Sequence, residues 1–247
     1  MMLYYKAWLE SRMRFLVAAA VLSLYCVTFI REARVNFPPV FEPRLPYTAY
    51  VWRGIYDGVD TLVFTLFAAM LGLGGLERER ELGSDGFTLA LPVTRSQLLV
   101  PRAAVAMIEM IALAAIPVVV VPWASASIGR SYPVEHAVRF ALLFAVTGGL
   151  WVSAGVLSSV LLTGMYTSLV ASVLTPAALA AVTATSAVRR HPAASPFNVM
   201  NGARLPILNR VTALAGGPLP WASLCSFIAI SAVLLGAAFA VSRRRDF

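Results

Sequence analysis

Residues 140–188 read FALLFAVTGGLWVSAGVLSSVLLTGMYTSLVASVLTPAALAAVTATSAV, and this stretch contains no Asp, Glu, Lys or Arg. A single helix of this length, at about 1.5 Å of rise per residue, would be about twice too long for a hydrocarbon core of roughly 30 Å. Two membrane-spanning helices joined by a tight turn fit instead. Gly164, at the midpoint, tolerates the backbone angles that such a reversal needs.

The composition of the whole chain agrees with this interpretation. Of the 247 residues, 59% are hydrophobic and only 13% are charged, which lies well beyond an ordinary soluble domain. Four further apolar runs flank the central stretch. The sequence therefore predicts an all-α polytopic membrane protein with one transmembrane domain and six spans, at about residues 15–30, 59–76, 103–122, 138–162, 165–187 and 220–242.

The side on which the termini lie follows from the number of spans and from the basic residues. Six spans place both termini on one side, with 31–56 and 189–218 as external segments. Ten Lys and Arg residues then fall on each side, so their number alone does not decide the orientation. The inside segments are shorter in total, and the basic cluster 243–245 directly follows the last span. We therefore predict that both termini are inside.

Residues 1–14 have the pattern of an amphipathic helix. Charged residues recur at every fourth position, at Lys6, Glu10 and Arg14, while apolar residues fall toward another face. Trp and Tyr, both present here, prefer the level of the lipid headgroups. We predict an interfacial helix that lies along the membrane before it turns into the first span. A frayed polar N terminus is the alternative.

Residues 77–102 form a charged segment between two apolar runs. Its first part, Glu-Arg-Glu-Arg-Glu, offers ion pairs three residues apart and is typical of a solvated helix. In its second part, Thr94 and Gln97 match a capping box, which predicts that a helix starts at Arg95. Pro92 ends whatever precedes it, so a short helix over about 87–91 is predicted between two turns. A polar surface held at one face of a membrane is suited to docking a partner.

The order of these features resembles the permease subunit of an ABC transporter of the type-2 exporter family. The resemblance rests on an amphipathic N-terminal helix, two spans, the acidic and basic run at 77–81, the Leu-Pro-Val-Thr-Arg turn at 91–95 and four more spans. The family commonly has Leu-Pro-Val-Ser-Arg and then a Gly-Lys pair. Here Thr94 stands for Ser, Pro101 and Arg102 stand for Gly-Lys, and an insertion follows Gly83 at 84–86.

The resemblance implies a coupling helix that docks into a groove of a nucleotide-binding subunit. The residues that match the acidic run and the coupling helix are Glu77, Glu79, Glu81, Phe87, Thr88, Leu89, Leu91, Pro92 and Val93. It also implies a second permease copy or a sister permease, contact with membrane lipid, and a bacterial cytoplasmic membrane with both termini cytoplasmic. No nucleic-acid partner is expected.

The chemistry of ATP hydrolysis is expected on a separate polypeptide. A P-loop needs a lysine that reaches the phosphates, and the only lysine of this chain is Lys6 in the N-terminal helix. We therefore expect a transport subunit that is not itself an enzyme and carries no cofactor, with ATP and Mg bound by the P-loop ATPase subunit. No metal site is expected either, because the two His and two Cys residues lack metal-ligand spacing.

A few polar and small residues within the apolar runs remain as candidates. Glu109 is a carboxylate at membrane depth and hence a functional candidate, the alternative being a carboxylate near the inner interface that pairs with an Arg. The presence of Glu109 also leaves open a second function, that of an ion-driven secondary carrier without an ATPase partner. Asp57 and Asp60 are expected to mark the outer end of the second span. Small residues on the fourth span, such as Gly148 and Gly155, suit close packing between subunits or within one subunit.

The segment that precedes the last span is too polar to cross a membrane, yet it contains short apolar stretches such as 197–200 and 205–208. It resembles the outer re-entrant or interfacial helices of the same family. A plain external loop is the alternative.

Overall fold

The computed structural model describes residues 2–36, 46–73, 95–162, 165–183, 185, 190–203, 205–209 and 212–244. Over these ranges the regular elements are all helices. Their bounds are α1 Met2–Asn36, α2 Tyr47–Val51 continuing into a π-helix Trp52–Tyr56, α3 Val59–Gly72, α4 Arg95–Ser127, α5 Val134–Leu161, α6 Met165–Thr183, a 3-10 turn Pro192–Ala194, α7 Pro196–Asn201 and α8 Trp221–Arg244.

Several of these helices are compatible with a multi-pass membrane protein. In the described part of the chain, five stretches are long and apolar enough to cross a bilayer: Met2–Val35, Tyr47–Gly72, Gln97–Ser127, Val134–Leu161 and Trp221–Arg243. The helix α6, predicted as the fifth of six spans, contributes a shorter apolar stretch, Val173–Val182. The predicted all-α class is confirmed over these ranges, and the candidate spans among the described residues number five.

The first helix differs from its predicted form. A separate interfacial helix over residues 1–14 was expected to turn into the first span, but α1 runs without a break from Met2 to Asn36. Residues 2–36 contain neither Gly nor Pro, so no residue in this range favours a bend. At about 1.5 Å per residue α1 is roughly 50 Å long, which exceeds a hydrocarbon core of roughly 30 Å.

The helical stretch that contains the predicted second span begins earlier than that span. Residues 47–56, expected within an external segment, form α2 and the π-helix and lie in line with α3 as one candidate span. Only Asp57 and Gly58 separate the π-helix from α3. A side chain at position 58 would overlap the carbonyl oxygen of Gly54, so a glycine is needed where the two helical segments meet.

The helix α5 lies at the centre of the bundle. It packs against α3, α4, α6, α7 and α8. In its apolar stretch 67% of the residues are buried, against 22% in those of α1 and α8, which lie at the periphery. The helices α3 and α5 approach closely, since a Cβ on Gly155 would overlap the carbonyl oxygen of Ala69 and one on Gly72 would overlap that of Val152.

Side-chain contacts give the direction of each helix. Arg14 contacts the end of α3, and Cys26, farther along α1, contacts Asp60 near the start of α3, so these two helices are antiparallel. Ring contacts between Phe64 and Phe144, together with the Gly72 and Gly155 approach, make α3 and α5 parallel. The helix α4 runs parallel to α1, because their starts are joined through Arg102 and their ends through Arg34.

We call the end of the bundle where α1 and α4 begin and α3 and α5 end the root end, and the opposite end the cap end. The helix α8 begins at the cap end, since Gly217, four residues before it, accepts a hydrogen bond from Arg139 near the start of α5. Ser231 of α8 then lies beside Gly149 of α5, so α8 runs parallel to α5 toward the root end. Met2 and Arg244 therefore lie at the same end.

The cap end is assembled from the segments that join the helices. Trp52 Nε1 donates a hydrogen bond to the Asn201 carbonyl at 2.8 Å, and Asn201 Nδ2 donates to Asp57 Oδ1 at 2.5 Å. The helix α7 also extends inward, because the ring of Phe197 lies 5.4 Å from that of Trp151, which is past the middle of α5. Residues 196–201 therefore enter the bundle between its cap and its centre.

Tyr132 is an ionisable residue at the cap end, in the connection between two candidate spans. Tyr132 connects α4 to α5, is 4% exposed, and its ring lies 6.4 Å from that of Tyr56. Burial raises the pKa of the Tyr132 phenol above its ordinary value. The phenol therefore stays neutral at physiological pH, as suits an aromatic core at this end.

Candidate functional site: a charged junction at the root end

Five polar side chains from α1 and α4 gather at the root end of the bundle. We call this set the root junction: Glu10, Ser11, Arg14, Arg102 and Glu109. The chain leaves α3 at this end and enters α4 at the same end. The root junction therefore lies beside both ends of the segment that joins α3 to α4. That segment includes most of the predicted docking segment.

Arg14 ties α1 to the end of α3. Its Nη1 donates hydrogen bonds to the carbonyl oxygens of Leu73, at 2.5 Å, and Met70, at 3.2 Å. The last carbonyls of a helix lack partners within the helix and carry the negative end of its dipole. The Met70 carbonyl also accepts the Leu73 N–H, and the Arg14 guanidinium adds a charged donor to this end, so Arg14 acts as a cap supplied by a neighbouring helix.

A second contact ties α1 to α4. Arg102 Nη2 lies 3.2 Å from Glu10 Oε2, and the Lys6 ammonium lies 3.9 Å from the other oxygen of the same carboxylate. The Arg102 side chain is only 12% exposed, which shields this pair more than an ordinary surface ion pair. The four-residue pattern of Lys6, Glu10 and Arg14, interpreted from sequence as an interfacial polar face, thus contributes contacts to α3 and α4.

Glu109 lies deeper in the bundle than the other members. The residue is 1% exposed, and its Oε1 accepts a hydrogen bond from Ser11 Oγ at 2.6 Å. Its Oε2 has no hydrogen-bond partner in the part of the chain that the structure describes. The sequence left open pairing with an Arg. Arg102 instead pairs with Glu10, while Arg14 is a charged neighbour of Glu109.

The residues predicted to contact a nucleotide-binding subunit all fall between α3 and α4. Glu77, Glu79, Glu81 and Phe87, Thr88, Leu89, Leu91, Pro92 and Val93 lie outside the described residues, so their role stays a prediction. The described part of α4 begins at Arg95, the residue at which the capping box predicted a start. Thr94, the predicted cap, also lies outside the described residues.

The structure separates the other candidates. Asp57 contacts Asn201 at the cap, whereas Asp60 is 1% exposed inside the bundle, where its Oδ1 lies 3.9 Å from Cys26 Sγ. The two carboxylates thus have different partners. Among the described residues no three His, Cys, Asp or Glu side chains are grouped as a metal ion would require.

The small residues of α5 pack within the chain. A Cβ on Gly155 would overlap α3, and one on Gly148 would crowd Met110 of α4 and Phe64 of α3. These two glycines therefore serve contacts inside one subunit, which was one of the two alternatives that the sequence left open. Their presence is no argument for a contact between subunits.

Sequence reasoning missed two parts of the root junction. Ser11 gave no signal, because a single Ser on a helix is common and its partner lies 98 positions away. The capping of α3 by Arg14 was also hidden, since main-chain carbonyls are present in every sequence. Only the packing of α1 against α3 and α4 brings these groups together. No family model matches the chain, and the search of curated proteins found no match.

Proposed function

We propose that this chain is the membrane-spanning permease subunit of an ATP-driven ABC exporter of the type-2 family. It would form the substrate pathway as a dimer, with itself or with a sister permease, in the cytoplasmic membrane of a bacterium. A separate nucleotide-binding subunit would bind ATP and Mg. The observation that carries the proposal is the order of sequence features around residues 77–102, and the position of the root junction at both ends of that segment supports it.

The root junction suggests how a partner would act on the bundle. Movement of the docking segment would pull on the end of α3 and the start of α4, and both are attached to α1 through Arg14 and Arg102. Because α1 and α4 pack along their lengths, a displacement at the root end would move them together. In this mechanism, closure of the ATPase subunits passes to the helices that line the pathway, and access alternates between the two sides.

The first experiment is mild purification of the chain from its native membrane, followed by identification of the proteins that accompany it. We expect a P-loop ATPase at one copy per permease copy. If the folded chain is recovered without any ATPase in several mild detergents, the exporter proposal is wrong.

A second experiment tests the docking segment itself. The double substitution Phe87→Asp and Leu91→Asp should abolish the coupling of transport to ATP hydrolysis, because two apolar contacts with the partner would become charged. Folding and membrane insertion should persist. Val35→Asp is the matched control, since Val35 is 81% exposed near the end of α1 at the cap end. Normal coupled transport by the double variant would show that the coupling helix is elsewhere.

Glu109 favours a second candidate, an ion-driven secondary carrier without an ATPase partner. A buried carboxylate with one oxygen that has no partner among the described residues is a feature of ion pathways through membranes. The two functions differ in their energy source. A carrier would transport in ATP-free vesicles under an imposed ion gradient and would lose that activity in Glu109→Gln, whereas the permease would require its ATPase subunit.

A further inference from the structure

We propose that Glu109 and Ser11 form a proton-binding site between α1 and α4. This goes beyond the proposed function and does not depend on whether ATP or an ion gradient drives the protein. The site consists of Glu109 Oε1, the Ser11 hydroxyl 2.6 Å away, and the Ala7 carbonyl oxygen 3.1 Å from that hydroxyl. These three oxygens form a short chain from α4 to the backbone of α1.

The chain of oxygens accommodates either protonation state of the carboxyl group. When Glu109 is ionised, the Ser11 hydroxyl donates its hydrogen to Oε1. When a proton from solution forms an O–H bond at Oε1, the new hydroxyl donates to Ser11 Oγ, and the Ser11 hydrogen turns to the Ala7 carbonyl. A hydroxyl can donate one hydrogen and still accept another. The contact between α1 and α4 is thus kept, and only the direction of its hydrogen bonds reverses.

The surroundings of Oε2 explain why this site would bind a proton. An ionised carboxylate that is removed from water needs partners for both of its oxygens. Glu109 is 1% exposed, and Oε2 has no partner among the described residues. After protonation at Oε1 the second oxygen is an ordinary carbonyl oxygen without a net charge, whose burial costs far less.

Charged groups on the neighbouring helices determine the electrostatic potential at Glu109. On α1 they are Arg14, held by the end of α3, and Glu10 and Lys6, which pair with each other and with Arg102 of α4. The charged residues of α3 and α5, Asp60, Glu135 and Arg139, lie in the cap-side turns of those helices. Those of α8, Arg243 and Arg244, are in its last turn. Of these groups Arg14 is a charged neighbour of Glu109, while Arg243 and Arg244 lie at the same end of the bundle.

Infrared spectroscopy of the purified protein in bilayers tests the proposal, because a protonated carboxyl group has a carbonyl band of its own that shifts in D2O. The pH is lowered from about 8 to about 5, a range in which exposed carboxylates stay largely ionised. We expect the carboxyl band of the wild type to exceed that of Glu109→Gln by the equivalent of one carboxyl group. Asp60→Asn, the matched control at the other buried carboxylate, should retain the Glu109 band.

A second variant keeps the test decisive if Glu109→Gln fails to fold. In Ser11→Ala the band should persist and move to higher frequency, because the protonated group loses its hydrogen-bond partner. Identical spectra for wild type and Glu109→Gln over this pH range would overturn the proposal. A carboxyl band unmoved in Ser11→Ala would equally show that these two residues do not share the proton.

Discussion

At the scale of single residues, Gly155 shows that the lack of a side chain can permit close packing of two helices. In this position of α5 the backbone touches that of α3, so that any Cβ would overlap the Ala69 carbonyl oxygen. Gly236 of α8 is the opposite case, because a Cβ there would meet no atom within 4 Å. The sequence does not distinguish these two glycines, because the difference lies in the atoms that surround each one in the folded protein.

Substitution by alanine at these two positions is predicted to change the free energy of unfolding in opposite directions. Gly155→Ala should lower the free energy of unfolding by about 1–3 kcal/mol, because main-chain atoms must move apart to admit the methyl group. Gly236→Ala should raise it by about 0.5–1 kcal/mol, because alanine loses less conformational freedom in a helix. Unfolding in detergent, followed by circular dichroism, measures both. Equal stability of the Gly155→Ala variant and the wild type would contradict the close approach of α3 and α5.

At the scale of elements, α1 acts as a support for two other helices. Its residues 10–14 hold the end of α3 through Arg14 and the start of α4 through Glu10 and Ser11. The periodicity of Lys6, Glu10 and Arg14 predicted a helix here, and a helix is present. The same pattern fits a face on the membrane surface or a face on other helices, so it could not identify the partners.

The capping of α3 can be tested by comparing two arginines on the same helix. Arg14→Ala should cost about 1.5–3 kcal/mol, because the Leu73 and Met70 carbonyls lose a charged donor. Arg12→Ala, at an exposed position two residues earlier, should change stability by less than about 0.5 kcal/mol. Hydrogen exchange in the last turn of α3 should accelerate in the first variant and not in the second. Equal exchange rates in both variants would show that Arg14 does not hold that turn.

At the scale of the whole molecule, the bundle has two chemically different ends. The root end carries ion pairs and a buried carboxylate between helices that begin or end there. The cap end is closed by aromatic stacking, such as that of Tyr56 on Phe140 at 4.2 Å, and by hydrogen bonds between connecting segments. Among the described residues, charged groups thus join the helices at the root end, while aromatic rings and hydrogen bonds join those at the cap end, beside the ion pair of Arg139 and Glu135.

Cysteine labelling tests the predicted orientation. In a Cys225→Ser background, which removes the exposed native thiol while Cys26 stays buried, cysteine is introduced at Tyr5 or at Ser131. Tyr5 is 64% exposed at the root end, and Ser131 is exposed at the cap. A membrane-impermeant thiol reagent should label position 131 on intact cells and position 5 only after permeabilisation. The reverse pattern would place the docking segment outside the cell.

The sequence by itself determined the helical class and most helix positions, because apolar length and the absence of charge depend only on local composition. It also singled out Glu109, since a carboxylate in an apolar run is unusual wherever it packs. It predicted a break in α1 that the structure does not have, and it did not predict a helix over residues 47–56, because charge and apolar periodicity do not distinguish a helix at the interface from one packed on other helices.

Only the tertiary structure decided which groups meet. Glu109 and Ser11 are 98 residues apart in the sequence, and Arg102 and Glu10 are 92 apart. Arg14 and Leu73, at the end of α3, are 59 apart. Such pairs leave no local trace, because each depends on the relative rotation and depth of two packed helices. The same packing decided that Gly155 serves a contact within the chain.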